Sequence, residues 1–107
     1  MRLGRRCFGM KLINVTNSHS QMVYNQLENT DANMIKVYTI GNTTVIYTDA
    51  YKHAEIVLKN DNRNIQPSEV EFVHKYFKRK LDEKTYDFTN ISYLESPGLI
   101  EMSITKK

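Results

Sequence analysis

Met34-Ile35-Lys36-Val37-Tyr38-Thr39-Ile40-Gly41-Asn42-Thr43-Thr44-Val45-Ile46-Tyr47-Thr48 is two β-prone runs on either side of a glycine. Each run is dense in Ile, Val, Thr and Tyr, side chains that pack well on a pleated, half-buried surface. Gly41-Asn42 tolerates the positive φ that a tight hairpin turn demands. The stretch therefore reads as a β-hairpin. Ala54-Glu55-Ile56-Val57-Leu58-Lys59, after a short turn over 50–53, extends it to a three-stranded antiparallel meander.

Upstream, residues 10–15 alternate and read as a strand, and the polar run Thr16-Asn17-Ser18-His19-Ser20 supplies helix-capping side chains. A short helix should follow, with Met22, Val23, Gln26 and Leu27 on one stripe and Glu28-Asn29-Thr30-Asp31 as its polar exit. Downstream, Asn60-Asp61-Asn62-Arg63-Asn64 reads as an exposed loop, and Pro67 marks a second helix. Val70, Val73, Phe77 and Leu81, flanked by Phe72 and Tyr76, give that helix a broad apolar face. Phe88 to Leu94 and Leu99 to Thr105 read as two further strands around Ser96-Pro97-Gly98. The order βαβββα(β)β implies an α+β two-layer sandwich: a mainly antiparallel sheet of four to five strands with two helices on one face.

A chain of 107 residues suits one domain. It contains no repeat, no low-complexity stretch and no apolar run near the roughly 18 residues of a membrane span. The single Cys7 cannot close an internal disulfide, and three scattered histidines offer no metal-ligand spacing. The expectation is a cytoplasmic protein with no cofactor and no metal.

The net charge of +3 comes from the first nine residues, which hold Arg2, Arg5 and Arg6. Without them Lys+Arg falls from 15 to 12 and balances the 12 Asp+Glu, which removes any general attraction for polyanions. Gly4-Arg5-Arg6 can be encoded by a purine-rich, ribosome-binding run at ordinary spacing from the Met10 codon. We expect residues 1–9 to be a leader from a mis-assigned start, and residues 10–107 to be the single α+β domain.

The words Lys11-Leu12-Ile13-Asn14, Thr16-Asn17-Ser18-His19-Ser20, Asn25-Gln26-Leu27-Glu28-Asn29-Thr30-Asp31-Ala32 and Gly41-Asn42-Thr43 resemble a family of small proteins of low-GC Gram-positive bacteria, including lactic acid bacteria. The family is known only as a domain of unknown function. The resemblance runs over nearly all of the chain after residue 9, and similar members begin at the equivalent of Met10. It implies bacterial cytoplasm and brings no activity, cofactor or catalytic residue.

Two features are candidate sites. Thr16, Asn17, Ser18, His19 and Ser20 lie where a strand hands over to a helix, so free N–H groups and the helix dipole could hold an anion; the simpler reading is capping. Lys75, Lys78, Arg79 and Lys80 cluster at the end of the second helix beside Tyr76 and Phe77, a pattern that suits nucleic acid but also complements the helix dipole. Adjacent Ser18-His19-Ser20 side chains point apart and do not make a triad. Paired carboxylates, Glu69 with Glu71 and Asp82 with Glu83, read as helix-end or solvated charges, and His53 and His74 as structural histidines.

No acid, base, nucleophile or metal constellation emerges, so the balance leans against an enzyme and towards a protein-interaction or regulatory module. A sheet face or an edge strand would mediate homodimerisation, with Met34, Tyr38 and Tyr47 as candidate exposed residues. The alternatives are a weak RNA or DNA binder using the basic helix end, and a small-ligand or anion binder at Thr16–Ser20. Intact mass of the protein isolated from its native cell should correspond to a chain beginning at Met10. A mass that includes Met1 through Gly9 would end the leader hypothesis.

Overall fold

The computed structural model describes residues 10–29 and 34–107. The leader expected over 1–9 and the helix exit at Thr30-Asp31 lie outside the described residues. The elements are β1 (Ile13–Asn14), a 3-10 turn (Thr16–His19), α1 (Ser20–Asn29), β2 (Met34–Ile40), β3 (Thr43–Asp49), β4 (His53–Lys59), α2 (Pro67–Lys80), β5 (Tyr86–Ser96) and β6 (Leu99–Lys106). They build one six-stranded antiparallel sheet in the order β1-β2-β3-β4-β6-β5.

The hairpin read from sequence forms with Ile40 opposite Thr43 across Gly41, whose φ of +58° suits the first central position of a tight turn. Asn42 keeps a negative φ, so glycine alone supplies the unusual backbone here. The strand expected over 10–15 shrinks to two residues for a local reason. The Asn14 carboxamide oxygen accepts from the Thr16 N–H (3.0 Å) and hydroxyl (2.7 Å), an Asx-type turn that ends the strand after Asn14.

Alternation on the meander sends Tyr38, Ile40, Val45, Tyr47, Ile56 and Leu58 to one face, where they meet Ile100, Met102 and Ile104 of β6 and Val73 and Phe77 of α2. Tyr47 stacks on Phe77 with centroids 5.0 Å apart, and Tyr38 meets the same ring edge-on at 5.7 Å. Tyr38 and Tyr47 are thus core residues, not the exposed patch expected of them; of that trio only Met34 is exposed. Burial raises both phenol pKa values above the ordinary tyrosine range.

The α+β class, the antiparallel sheet and the element order are as expected; the sheet has six strands rather than four to five. Cover of the Tyr38 face comes from α2. The sheet contact of α1 is with β2, and no described α1 residue enters the core cluster. Ile35, Val37, Ile46 and Thr48, on the opposite side of the pleat of β2 and β3, are also buried.

Two readings of the sequence are corrected at the start of α2. Glu69 is not a solvated helix-end charge: it is 5% exposed. Its carboxylate accepts from Arg63 Nη1 (2.8 Å) and Nη2 (3.0 Å), from the Thr43 hydroxyl (2.7 Å) and from the Gln66 backbone N–H (2.9 Å). The last bond is half of a capping box closed by the Gln66 side chain. Asn60 is likewise buried, its amide donating to Asn42 Oδ1 and Thr43 Oγ1. The other residues of the loop over 61–64 are exposed, as expected.

Gly98 completes this corner. Its φ is +73°, its carbonyl accepts from the Asn60 N–H (2.9 Å), and a Cβ placed on it would lie 2.6 Å from the Asn60 carbonyl oxygen. Pro97-Gly98 is therefore both the β5–β6 turn and the surface against which the loop after β4 packs.

The Arg63 guanidinium, with further hydrogen bonds, holds the Glu69 carboxyl down at about 2. A depressed carboxylate stabilises the fold above its unfolded pKa of roughly 4.3 and loses that contribution as pH falls towards the folded value. Denaturant titrations should show stability falling between about pH 5 and pH 2, by on the order of 3 kcal/mol. In Glu69→Gln most of that slope should be gone, and an unchanged slope would refute the assignment. Gly98→Ala should destabilise by about 2 kcal/mol or more, through a disfavoured φ and a clash with backbone; a change below about 0.5 kcal/mol would contradict the close approach.

Candidate functional site

Among the described residues β5 is the outermost strand, because β6, to which it is joined by the two-residue turn, is already paired to β4 on its other side. Eleven residues long, it pairs with β6 from Ile91 to Ser96 and again at Tyr86, with an irregularity between. From Phe88 to Leu94 it contains no charged residue and no proline. Long β-prone edges of this kind usually carry lysine, proline or inward charges that prevent pairing with another chain. The opposite edge, β1, is two residues long and presents little ladder.

On this strand Tyr93 is 50% and Leu94 68% exposed, on opposite faces of the sheet. Tyr93 lies on the α2 side, where it borders a groove of about 430 Å³ floored by Ile65, Val70 and Ile100. Glu71, His74 and Glu95 also line it. His74 Nε2 is buried and has no hydrogen-bond partner, while its ring packs 6.3 Å from that of Phe88. His74 thus sits among apolar neighbours as a structural histidine does, with one nitrogen unsatisfied. Leu94 sits opposite Glu101 on the other face, alongside Ser92 and Ser103.

At Thr16–Ser20 the side chains of Thr16 and His19 are used locally. The Thr16 hydroxyl accepts from the Val37 N–H (3.0 Å), which ties the turn to β2. His19 Nδ1 lies 3.1 Å from the Val15 carbonyl oxygen, a contact that places the proton on Nδ1. Asn17, Ser18 and Ser20 are exposed, and Asn17 and Ser18 border an open concavity of about 530 Å³ together with Lys36. No side-chain cap bond forms at the start of the 3-10 turn.

The basic end of α2 is solvated. Lys75 faces Glu71 at 3.9 Å, the expected i, i+4 pair, and Lys80 lies 5.8 Å above the Tyr76 ring. Lys78 and Arg79 are exposed. Phe77, between Lys75 and Lys78 in sequence, is 2% exposed and belongs to the core, so it offers no stacking platform for a base. His53 makes a loose 3.6 Å contact with Glu55, and Asp82 bonds the backbone N–H of Lys84 and the hydroxyl of Thr85.

The sequence reading placed β5 only from Phe88 to Leu94 and named none of its residues as functional. The signal was present in the uncharged run Phe88-Thr89-Asn90-Ile91-Ser92-Tyr93-Leu94. What was not visible is that β6 inserts beside β4 and leaves β5 outside.

Among the described residues no helix is long and apolar enough to cross a membrane, and no group of three metal-ligating side chains gathers. None of the curated proteins matches the chain. Among solved structures it is similar to a conserved protein of unknown function from Streptococcus thermophilus LMG 18311, at 38% identity and a TM-score of 0.85. The match covers 92% of this chain and 98% of that one. That organism is a lactic acid bacterium, in line with the resemblance read from the sequence. A family model described as a domain of unknown function, DUF1827, matches residues 10–105, and the chain belongs to that family.

Proposed function

We propose that this domain is a non-enzymatic protein-interaction module of the cytoplasm whose docking element is the outer edge of β5. The observation that carries the reading is the edge itself: an eleven-residue outer strand with no charge from Phe88 to Leu94 and with Tyr93 and Leu94 exposed. An edge of this kind offers backbone N–H and C=O groups for strand addition, with alternate side chains reading the partner on each face. The helix-end lysines support a nucleic-acid reading less well, because Lys75 has a carboxylate partner and the aromatic beside Lys78 is buried.

Leu94→Lys places a charge on the edge at a 68% exposed position, so the fold should lose no more than about 0.5 kcal/mol. A pull-down from the native cell should capture a protein with the wild-type chain and lose at least tenfold of it with Leu94→Lys. The double variant Lys78→Glu, Arg79→Glu should capture as wild type does. The reading fails if Leu94→Lys captures normally, or if the chain starting at Met10 is retained on nucleic acid at low salt and the double variant alone abolishes retention.

A further inference from the structure

We propose that the groove between α2 and the β5–β6 pair binds a small amphipathic cation, an apolar body carrying one ammonium group. The proposal is independent of the strand-addition reading, because it uses the inner face of β5 and not its backbone edge. The register sets Tyr93 opposite Met102 and Glu95 opposite Ile100, both core residues beneath α2, so Tyr93 and Glu95 share the α2 side of the sheet. Pro67, Val70, Glu71 and His74 of α2 form the other wall, and Ile65 and Ile100 lie between. The volume of about 430 Å³ falls within the roughly 300–1,000 Å³ of small-molecule sites, and a mostly apolar lining with few polar groups is the composition such sites share.

Those few polar groups select the ligand. Apart from the Tyr93 phenol, the polar side chains lining the groove are Glu71, His74 and Glu95, so every full charge on it is negative. Carboxylates only accept hydrogen bonds, and the complementary group is therefore a cationic donor. Glu95 has no side-chain hydrogen bond or ion pair among the described residues, and Glu71 has only the exposed Lys75 at 3.9 Å. Charges of one sign on low-dielectric walls concentrate the field of a cleft. An anion placed there would meet two carboxylates and no lining cation.

The remaining surface suits an apolar body. Tyr93, half exposed, offers a ring face to an aromatic or aliphatic group and to the cation beside it. His74 Nε2 is buried without a partner, a costly arrangement. With its proton on Nδ1, and once the ring turns towards the groove, Nε2 is a further acceptor for the same ammonium.

The probe is phenylbutylammonium, with phenylbutanol and phenylbutanoate as its neutral and anionic counterparts. Fragments of this size bind in the millimolar range, so amide chemical-shift mapping by NMR on the whole chain is the measurement. The ammonium should give saturable shifts at Val70, His74, Tyr93 and Glu95 and bind about fivefold tighter than the alcohol, while the carboxylate should give none there. Glu95→Gln, at an exposed position, should weaken the ammonium by about fivefold and remove its advantage over the alcohol. Asp61→Asn, an exposed carboxylate outside the groove, should leave binding unchanged. Leu94→Lys, on the opposite face of β5, should bind the ammonium as wild type does, so loss of partner capture and loss of amine binding are separable. The proposal is overturned if the ammonium gives no saturable shift at the groove, or if the carboxylate binds there as tightly. It is equally overturned if Glu95→Gln binds the ammonium as wild type does, or if Asp61→Asn weakens it as much as Glu95→Gln.

Discussion

The carboxylate of Glu69 is the constraint on which the rest of the molecule depends. A buried ionised group is costly unless it is paired and its remaining lone pairs are satisfied. Here Arg63 meets it with two nitrogens, Thr43 donates from β3, and the Gln66 N–H donates from the helix start. Those donors come from the first hairpin, the loop after β4 and the first turn of α2. The one charge fixes where α2 begins relative to the meander, and so which of its faces meets Tyr47 and Ile56. The Arg63 side chain is 38% exposed, so the pair is solvated on one side and less costly to form than a fully buried one.

The same corner sets the position of the sheet's far edge. Asn60 is anchored to Asn42 and Thr43 by its side chain and to the Gly98 carbonyl by its N–H. The Gly98 N–H in turn donates to Asn64 Oδ1 at 3.2 Å. The loop between β4 and α2 is thereby a bracket: one side grips the β2–β3 turn, the other the β5–β6 turn. Glycine at 98 is what allows the two backbones to come this close.

How much of this was legible in the sequence follows from the range of the forces involved. β2, β3, β4 and α2 were readable because side-chain periodicity and turn chemistry are local, and Gly41 and Pro67 punctuate them. The face assignment of Tyr38 and Tyr47 failed because strict alternation tells which residues share a side without telling which side is covered. Glu69 looked like an ordinary helix-start acid, since nothing local marks Arg63 and Thr43 as partners 6 and 26 residues away. The polar loop containing Asn60 was read as solvated for the same reason: its partners on the hairpin turns are assembled only by folding. The edge status of β5 depends on topology, and the order of strands in a sheet is not written in the composition of any one strand.

The far end of β5 is held by a second polar clasp. Asp49, at the end of β3, accepts from the Tyr86 hydroxyl and from Lys106 Nζ, each at 2.9 Å, while the same ammonium donates to the Ala50 carbonyl at 2.7 Å and lies over the Tyr86 ring. The Tyr47 phenol, buried beside Tyr86 and Asp49, is kept protonated by the same surroundings. Tyr86 and Gly98 therefore pin the two ends of the outer strand to opposite corners of the sheet. Between them the backbone is held extended by β6 on one side and, among the described residues, is free of any strand on the other. An extended edge that is already ordered gives up little further conformational entropy on accepting a partner strand, so the cost of association falls mainly on the partner.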